Sequence, residues 1–330
     1  MTERRDNENL LLFGATGSIG AFILDKLIEN KKHFGSIAIF TSPGTIEKKA
    51  DKIQQLKANG VKVISGDVRN PNEVTNAFEG IDTVISAIGR NVIAEQINWI
   101  HLADQASSVK RFFPSEFGTD IEYGPESAHE IPNQQKLKVR AALKQVKNLH
   151  YTYIVTGPYA QAEIPAFLGA LPSAPEIGSF NVMTKTAVLI GDGTVKISLT
   201  TPSDVGKLVV QALLHPDVSR NRALKVNSFT TTPNEILNEF EKQLGETWTV
   251  KYTSFDELRR LETNAWNNKH PMAPIFTLRR IWSEGGTLYD KRDNALINGE
   301  DMETLADAVK AAISTQKSDS QDAYKDRKFM

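Results

Sequence analysis

The chain has 330 residues, of which 40 % are hydrophobic and 24 % charged, a balance that is ordinary for a globular protein with a sizeable buried core. A formal net charge of −1 excludes a broad electrostatic attraction to nucleic acid or to an anionic membrane, so neither is expected as a partner. The sequence contains no cysteine, which excludes disulfides, thiol nucleophiles and cysteine-ligated metals and fits a cytoplasmic location. No apolar run approaches the ~18 residues that a membrane span requires.

The first half of the chain alternates short apolar runs with amphipathic segments. The runs are rich in Val, Ile, Leu and aromatics and predict strands at residues 10–13, 36–40, 61–65, 83–87, 111–113 and 151–155. The segments between them predict helices at residues 19–30, 46–58, 71–78, 92–106 and 134–146. Strands that are apolar throughout and alternate with helices are typical of a parallel sheet covered on both faces. We therefore predict an α/β fold with a Rossmann-type, doubly wound sheet over residues 8–158.

Beyond residue 158 the pattern changes to prolines, glycines and shorter elements. We predict a smaller mixed α/β substrate-binding region over residues 159–314, whose strands are free to return to the main sheet. Residues 315–330 are polar and rich in lysine, and we expect them to form a frayed tail.

Three local signals lie within this second region. The triplet Gly191-Asp192-Gly193 within residues 188–199 predicts a hairpin turn, and a helix is expected over residues 203–214. Thr232 and Glu235 have the spacing of a capping box, and the helix that they begin is expected to end at Gly245.

A glycine loop follows the first predicted strand and precedes the first predicted helix. Its residues are Gly14, Ala15, Thr16, Gly17, Ser18, Ile19 and Gly20. A diphosphate at this position must approach backbone N–H groups at a helix N-terminus, which side chains at positions 14 and 17 would obstruct. A side chain at position 20 would push the helix away from the strand. The loop therefore predicts a dinucleotide site.

The end of the second predicted strand bears on which dinucleotide binds. NAD-binding proteins tend to have an acidic residue there, whereas this chain has Thr41 and Ser42, whose hydroxyl groups can donate to a 2′-phosphate. Lys48 or Lys49 would add positive charge, although such lysines also suit a solvated helix face. These residues favour NADPH. Asp67, after the third strand, suits either a contact with the adenine or a cap on its own turn.

The acid–base group is not the tyrosine that many Rossmann reductases use. The Tyr-x-x-x-Lys pattern occurs at Tyr324 and Lys328, in the predicted tail, where it cannot border a cofactor. The histidines lack metal-binding spacing, so no metal is expected, and Ser115 has no fitting histidine partner for a hydrolase.

Two motifs further along the chain carry a family resemblance. Residues 111–118 read RFFPSEFG, and residues 136–140 read KLKVR, a K-x-x-V-R pattern. With the glycine loop they resemble the NmrA-like, isoflavone-reductase-like family of atypical short-chain dehydrogenases. That family includes isoflavone, pinoresinol–lariciresinol and phenylcoumaran benzylic ether reductases. The similarity extends over roughly residues 8–290 and is only weakly informative about substrate.

The resemblance implies roles for individual positions. Lys136 corresponds to the family's catalytic lysine, Arg140 to a cofactor-contacting arginine and Lys49 to a lysine near the 2′-phosphate. Further positions are expected along the cofactor: Ser86, Ala87, Ile88, Phe113, Pro114, Ser115, Gly157, Pro158 and Tyr159.

The chain also departs from the family. Plant members usually carry an arginine where Thr41 stands, which weakens the argument for NADPH over NADH. Some carry a substrate-contacting histidine where this chain has Arg280-Ile281-Trp282, so their substrate contacts do not carry over. Phe117 and Trp282 are candidates for an aromatic substrate pocket, although such side chains more often belong to the core.

Helical spacing partly supports a functional role for Lys136. Apolar residues from Val139 to Val146 follow a core-facing pattern, and Lys136 and Arg140 share the flank of that face. Spacing alone favours two exposed basic residues, and the family match shifts the interpretation to a catalytic lysine. Desolvation and a nearby cation would lower the pKa of such a lysine toward neutrality.

We therefore expect an NADPH-dependent reductase of a small aromatic or conjugated molecule, with Lys136 as general acid or base. The alternatives are a non-catalytic NADP-binding redox sensor of the NmrA type, and an epimerase or dehydratase that holds NAD without consuming it. The expected assembly is a monomer or a homodimer.

Overall fold

The computed structural model describes residues 7–163, 167–289 and 291–321. Its strands are β1 Glu8–Phe13, β2 Phe34–Thr41, β3 Lys62–Ser65, β4 Thr83–Ser86, β5 Arg111–Phe113, β6 His150–Val155, β7 Ser179–Asn181, β8 Thr186–Ile190, β9 Ile197–Leu199, β10 Arg222–Lys225, β11 Phe229–Thr231 and β12 Thr249–Thr253. Its α-helices are α1 Ser18–Glu29, α2 Pro43–Lys48, α3 Ala50–Ala58, α4 Pro71–Ala77, α5 Gln96–Gln105, α6 Gln134–Leu143, α7 Pro202–Leu214, α8 Pro216–Ser219, α9 Pro233–Leu244, α10 Phe255–Asn267, α11 Ala273–Ser283 and α12 Leu305–Gln321.

A parallel sheet of seven strands forms the centre of the fold, in the order β10-β6-β5-β4-β1-β2-β3. Every strand predicted in the first half of the chain lies in it. In β1, the apolar run from Leu10 to Phe13 is fully buried because helices cover both faces of the sheet. The order reverses beside β1, where β4 and β2 flank it. This switch point is where a doubly wound sheet opens a crevice at the carboxyl ends of its strands. The prediction of a Rossmann-type α/β fold is confirmed.

The second half of the chain contributes to this same unit. Strand β10 pairs in parallel with β6 and becomes an edge of the main sheet. Helix α7 packs against α1, and Val205 and Leu208 share one apolar core with Leu12 and Ile23. The predicted boundary at residue 158 therefore does not separate two independent hydrophobic cores.

The smaller region contains a three-stranded sheet, β12-β8-β7, and a two-stranded sheet, β11-β9. The hairpin predicted around Gly191-Asp192-Gly193 is wrong: β8 and β9 flank the turn but do not pair with each other. Both edges of β8 are already occupied, by β7 and by β12, so the chain leaves that sheet at Gly191 and β9 pairs with β11 instead. The turn itself is real, since both glycines have positive φ.

Two predicted helices are divided in the structure. The helix expected over residues 46–58 begins earlier, because Ser42 caps it and Pro43 fills its first turn, and it breaks at Lys49 between α2 and α3. The segment expected at residues 92–106 starts as a 3₁₀ helix, Arg90–Glu95, and continues as α5. The capping box of Thr232 and Glu235 is confirmed, as is the end of α9 at Gly245 in the left-handed conformation.

The polar tail begins later than the predicted residue 315, because α12 continues to Gln321. Gln316 explains the difference: its amide donates to the carbonyls of Leu168 and Phe180, both at 3.1 Å, and accepts from the N–H of Val182. Residues 322–330, with Tyr324 and Lys328, lie outside the described part of the chain. In the part that is described, no helix is long and apolar enough to cross a membrane.

A substitution at Gly206 on α7 tests how closely α7, from the second half of the chain, packs against α1. A Cβ there would lie 2.5 Å from the carbonyl oxygen of Phe22 on α1. We expect Gly206→Ala to lower the free energy of unfolding by about 1–3 kcal/mol, because the helices must separate. Urea unfolding followed by circular dichroism measures this. Gly44→Ala is the control, since nothing lies within 4 Å of its added Cβ. Equal stabilities of the two variants would contradict the packing of α7 on α1.

Candidate functional site

The glycine loop lies at the switch point, between the end of β1 and the start of α1. Gly14 has a φ of +77°, and a Cβ there would lie 2.4 Å from the carbonyl oxygen of Ala87, just after β4. A Cβ at Gly20 would lie 2.0 Å from the carbonyl oxygen of Gly14. Both glycines therefore let the loop pack closely on its own backbone and on the next strand.

Gly17 differs from these two, because its added Cβ would meet one atom within 4 Å, the carbonyl oxygen of Gly14 at 3.2 Å. Space is therefore left directly in front of the N-terminus of α1. That helix has no capping side chain and no acidic residue in its first turn. Its first N–H groups are thus available to an anion, as a dinucleotide diphosphate requires. The loop fits the predicted dinucleotide.

A lysine spans the glycine loop and the end of β2. The Lys49 amine donates to the carbonyl oxygen of Thr16 at 2.7 Å. Thr41 is buried at the end of β2, and the Ser42 hydroxyl is engaged with Thr45 as the cap of α2. No acidic side chain follows β2 before Glu47. The structure therefore brings one cation, rather than a carboxylate, to the edge where a ribose 2′-substituent would lie.

Asp67 caps its own turn, which was one of its two predicted roles. Its carboxylate accepts from the backbone N–H of Arg69 at 2.9 Å, while the Asp67 N–H donates to Glu73. This hydrogen bonding accounts for an aspartate at this position without a contact to adenine.

The ends of β4, β5 and β6 form the next part of the crevice. The Ser86 hydroxyl is fully buried and has no hydrogen-bond partner among the described residues. Ser115 joins two loops: its hydroxyl donates to the carbonyl oxygen of Ile88 at 2.8 Å, and its N–H donates to Gln96 at 2.8 Å. Gly157 has a φ of +68° after β6. The predicted positions Ala87, Phe113, Pro114 and Pro158 are buried beside these residues.

Lys136 lies near the start of α6 and reaches the segment after β5. Its ammonium donates to the carbonyl oxygen of Glu116 at 2.5 Å and lies 3.9 Å from the position of a Cβ at Gly118. Burial lowers the pKa of Lys136 to about 8, against the opposing effect of the Glu116 carboxylate, and the positive charges of Arg90 and Arg140 contribute to the lowering. The amine thus titrates near neutral pH, as acid–base work requires.

Tyr159 holds the same segment from the other side. Its phenol donates to the carbonyl oxygen of Phe117, the residue next to the one that binds Lys136. Burial raises the pKa of Tyr159, and the nearby Arg90 cation opposes this. Sequence reasoning placed Tyr159 along the cofactor and overlooked both Arg90 and this contact. The sequence signal that would have identified Arg90 was its position shortly after β4.

Arg140, which the family resemblance placed at the cofactor, is buried and paired with carboxylates. The side chain is 2 % exposed, and it donates to the Glu116 carboxylate at 2.8 and 3.1 Å and to Glu122 at 2.6 Å. It also lies 4.5 Å above the ring of Tyr153. Through these hydrogen bonds Arg140 holds the side chain of Glu116 in place.

The candidate substrate residues Phe117 and Trp282 are core side chains. Phe117 is buried in the main apolar core, and Trp282 is buried in the core of the smaller region, where its indole donates to Thr119 at 2.7 Å. Both positions therefore agree with the alternative that such side chains belong to the core. Among the described residues no cluster of histidine, aspartate and glutamate could hold a metal ion.

Comparisons with known proteins agree with this geometry. The model of the NmrA-like family matches residues 6–280. The chain is 29 % identical to an isoflavone reductase of Pisum sativum, over 80 % of this chain and 85 % of that protein. It is 31 % identical to the oxidoreductase aprR of Aspergillus flavus, over 76 % and 79 %. Leucoanthocyanidin reductase of Vitis vinifera, solved with NADPH, shares the fold with a TM-score of 0.77 and 21 % identity, over 93 % and 99 %.

The buried ion pairs of Arg140 generate a stability prediction. Arg140→Met leaves the Glu116 carboxylate buried without its cation, so we expect a loss of about 3–5 kcal/mol in the free energy of unfolding. Arg260→Met is the matched control, because it removes an exposed pair with Glu257, and surface pairs contribute little to stability. Denaturant unfolding measures both, and equal losses would refute a supporting role for Arg140.

Proposed function

The chain belongs to the NmrA-like family, and from this we propose that it is an NADPH-dependent reductase of a small aromatic or conjugated substrate. The observation that carries the proposal is the half-buried amine of Lys136. It is fixed on a backbone carbonyl at the carboxyl edge of the sheet, and its pKa is lowered to about 8.

The cofactor part of the proposal rests on the chain's own residues. The uncapped N-terminus of α1 beside Gly17 would take the diphosphate, and Lys49 would face the 2′-phosphate that distinguishes NADPH from NADH. The buried hydroxyl of Ser86 lies at the end of β4, next to the glycine loop, and would gain a partner from the ligand. The binary complex of leucoanthocyanidin reductase with NADPH supports this assignment.

The chemistry assigned to Lys136 is proton transfer. When bound, NADPH supplies the hydride. At pH 7 the amine is mainly protonated, since its pKa is about 8. Lys136 would therefore give its proton to a carbonyl, enol or phenolic oxygen as negative charge develops there. The Glu116 carbonyl and the buried walls fix the direction of the N–H bonds.

The substrate class follows from the relatives. Isoflavone reductase and leucoanthocyanidin reductase are named for aromatic, oxygen-bearing substrates, and we propose the same class for this chain. The assay is oxidation of NADPH, followed at 340 nm as in any nicotinamide assay, with isoflavones, benzylic ethers and aromatic enones. Cofactor binding without oxidation of NADPH by any of these compounds would support a non-catalytic redox sensor instead.

Lys136→Met tests the proton transfer. We expect kcat to fall about 10²- to 10⁴-fold, while the dissociation constant of NADPH, measured by fluorescence, stays within error. Lys138→Met is the control, because it removes an exposed lysine from the same helix. As a general acid, Lys136 must be protonated, so wild-type kcat should decrease as the pH rises through about 8. Unchanged turnover in Lys136→Met would disprove the mechanism.

Lys49→Gln tests the choice of cofactor. Loss of the cation near the 2′-phosphate should weaken NADPH binding about tenfold and leave NADH binding unchanged, because NADH lacks that phosphate. Lys48→Gln is the control at the neighbouring, exposed lysine. Fluorescence titration of both dinucleotides gives the constants. A parallel loss for both dinucleotides would contradict the assignment of Lys49.

A further inference from the structure

Arg90 is a cation of the crevice that the proposed reaction does not use. It stands four residues after the end of β4, at the start of the 3₁₀ helix Arg90–Glu95. One of its terminal nitrogens donates to the carbonyl oxygen of Pro132 at 3.2 Å, on the turn that precedes α6. Arg90 therefore bridges the loop after β4 and the turn that leads into the helix of Lys136.

The guanidinium of Arg90 lacks the acidic partners that three other arginines have. Arg140 and Arg280 each pair with carboxylates at 2.8 Å or less, and Arg111 pairs with Glu8 at 3.2 Å. In the described part of the chain Arg90 forms no ion pair, and the Pro132 carbonyl uses one of its several N–H donors. The remaining donors are available to a ligand.

Arg90 lies close enough to Lys136 and Tyr159 to influence both. Its charge lowers the pKa of the Lys136 amine and opposes the rise in the pKa of the Tyr159 phenol. Burial lowers the pKa of Arg90 itself, although the residue is classed as exposed by its accessible surface. The side chain of Arg90 is thus accessible to solvent or a ligand, while the surrounding protein is close enough to desolvate its guanidinium.

We propose that Arg90 binds a carboxylate of the substrate, so that the reductase acts on an aromatic or conjugated acid. This inference rests on the proposed function and specifies its substrate class. The planar fork of a guanidinium matches the two oxygens of a carboxylate, and such a pair is strong in a desolvated cleft. The Ile131 side chain, 55 % exposed and next to Pro132, adds an apolar surface beside the cation. A cation with an adjoining apolar surface suits an aromatic acid.

A carboxylate at Arg90 would also compensate the charge of the site. Arg90 and Lys136 are both cationic at pH 7, and the nearby carboxylate of Glu116 is already paired with Arg140. An anionic substrate would therefore be attracted to the crevice, whereas a neutral ester of the same molecule would not. Held at Arg90, the carboxylate stays apart from the oxygen that receives the proton of Lys136.

The test compares an acid with its neutral ester. The probes are 4-carboxychalcone and its methyl ester, titrated by calorimetry into the protein saturated with NADP⁺. The wild type should bind the acid at least about tenfold more tightly than the ester, and this ratio should fall to about one in Arg90→Gln. Arg90→Lys keeps the charge without the fork and should give an intermediate ratio. Arg260→Gln, an exposed arginine of α10, should behave as the wild type.

Three results would overturn the inference: a wild-type ratio near one, binding of neither probe, or a ratio that survives in Arg90→Gln. If Arg90→Gln instead weakens NADP⁺ binding tenfold and leaves the ratio intact, Arg90 contacts a cofactor phosphate and the inference is wrong. Failure of the proposed function is measured separately. If the wild type oxidises NADPH with neither probe, this argues against the reductase without changing the binding ratio.

Discussion

The geometry of the crevice depends on the short segment after β5, residues 116–118, whose backbone carbonyls are held from several directions. The Glu116 carbonyl accepts from Lys136, and the Phe117 carbonyl accepts from Tyr159. The Gly118 carbonyl accepts from the N–H groups of residues 156 and 157, after β6. Because these donors come from α6 and from the loop after β6, the segment joins the end of the main sheet to the helix that carries the amine. An amine fixed in this way loses little freedom when a ligand binds.

The surroundings of the same segment favour the acid–base role proposed for Lys136. An amine ordinarily titrates far above neutrality, and it becomes useful at neutral pH when its charged form is destabilised. Burial has this effect on Lys136, and the cations Arg90 and Arg140 add to it. The carboxylate of Glu116 opposes this shift. That carboxylate is itself paired with Arg140 through two hydrogen bonds, and Lys136 contacts the backbone carbonyl of Glu116 instead.

Local sequence patterns were sufficient to predict the strands of the main sheet and the glycine loop. Apolar runs such as that from Leu10 to Phe13 identified the strands of the main sheet, and the glycine spacing identified the loop at the switch point. The hairpin at Gly191 was mispredicted because strand pairing depends on which edges remain free, and β8 has none. The ion pairs of Arg140 were not predicted, because helix spacing gives a residue's flank but not the acids that approach it from another loop.

Arg90 was overlooked for a related reason, because local sequence does not show which elements meet in the fold. Its position also indicates how substrate choice is built on a shared cofactor-binding fold. The residues next to Arg90 in the sequence do not indicate a binding role. The role that we propose for it depends on the contact between the loop after β4 and the turn before α6. The glycine loop and Lys136 lie on elements that the main sheet positions, whereas Arg90 lies on a loop that can vary without disturbing them. The charge of Arg90 lowers the pKa of the Lys136 amine, and under our proposal the same cation would also select the molecules that enter the crevice. Recognition of an acidic substrate and tuning of the proton donor would then reside in one side chain.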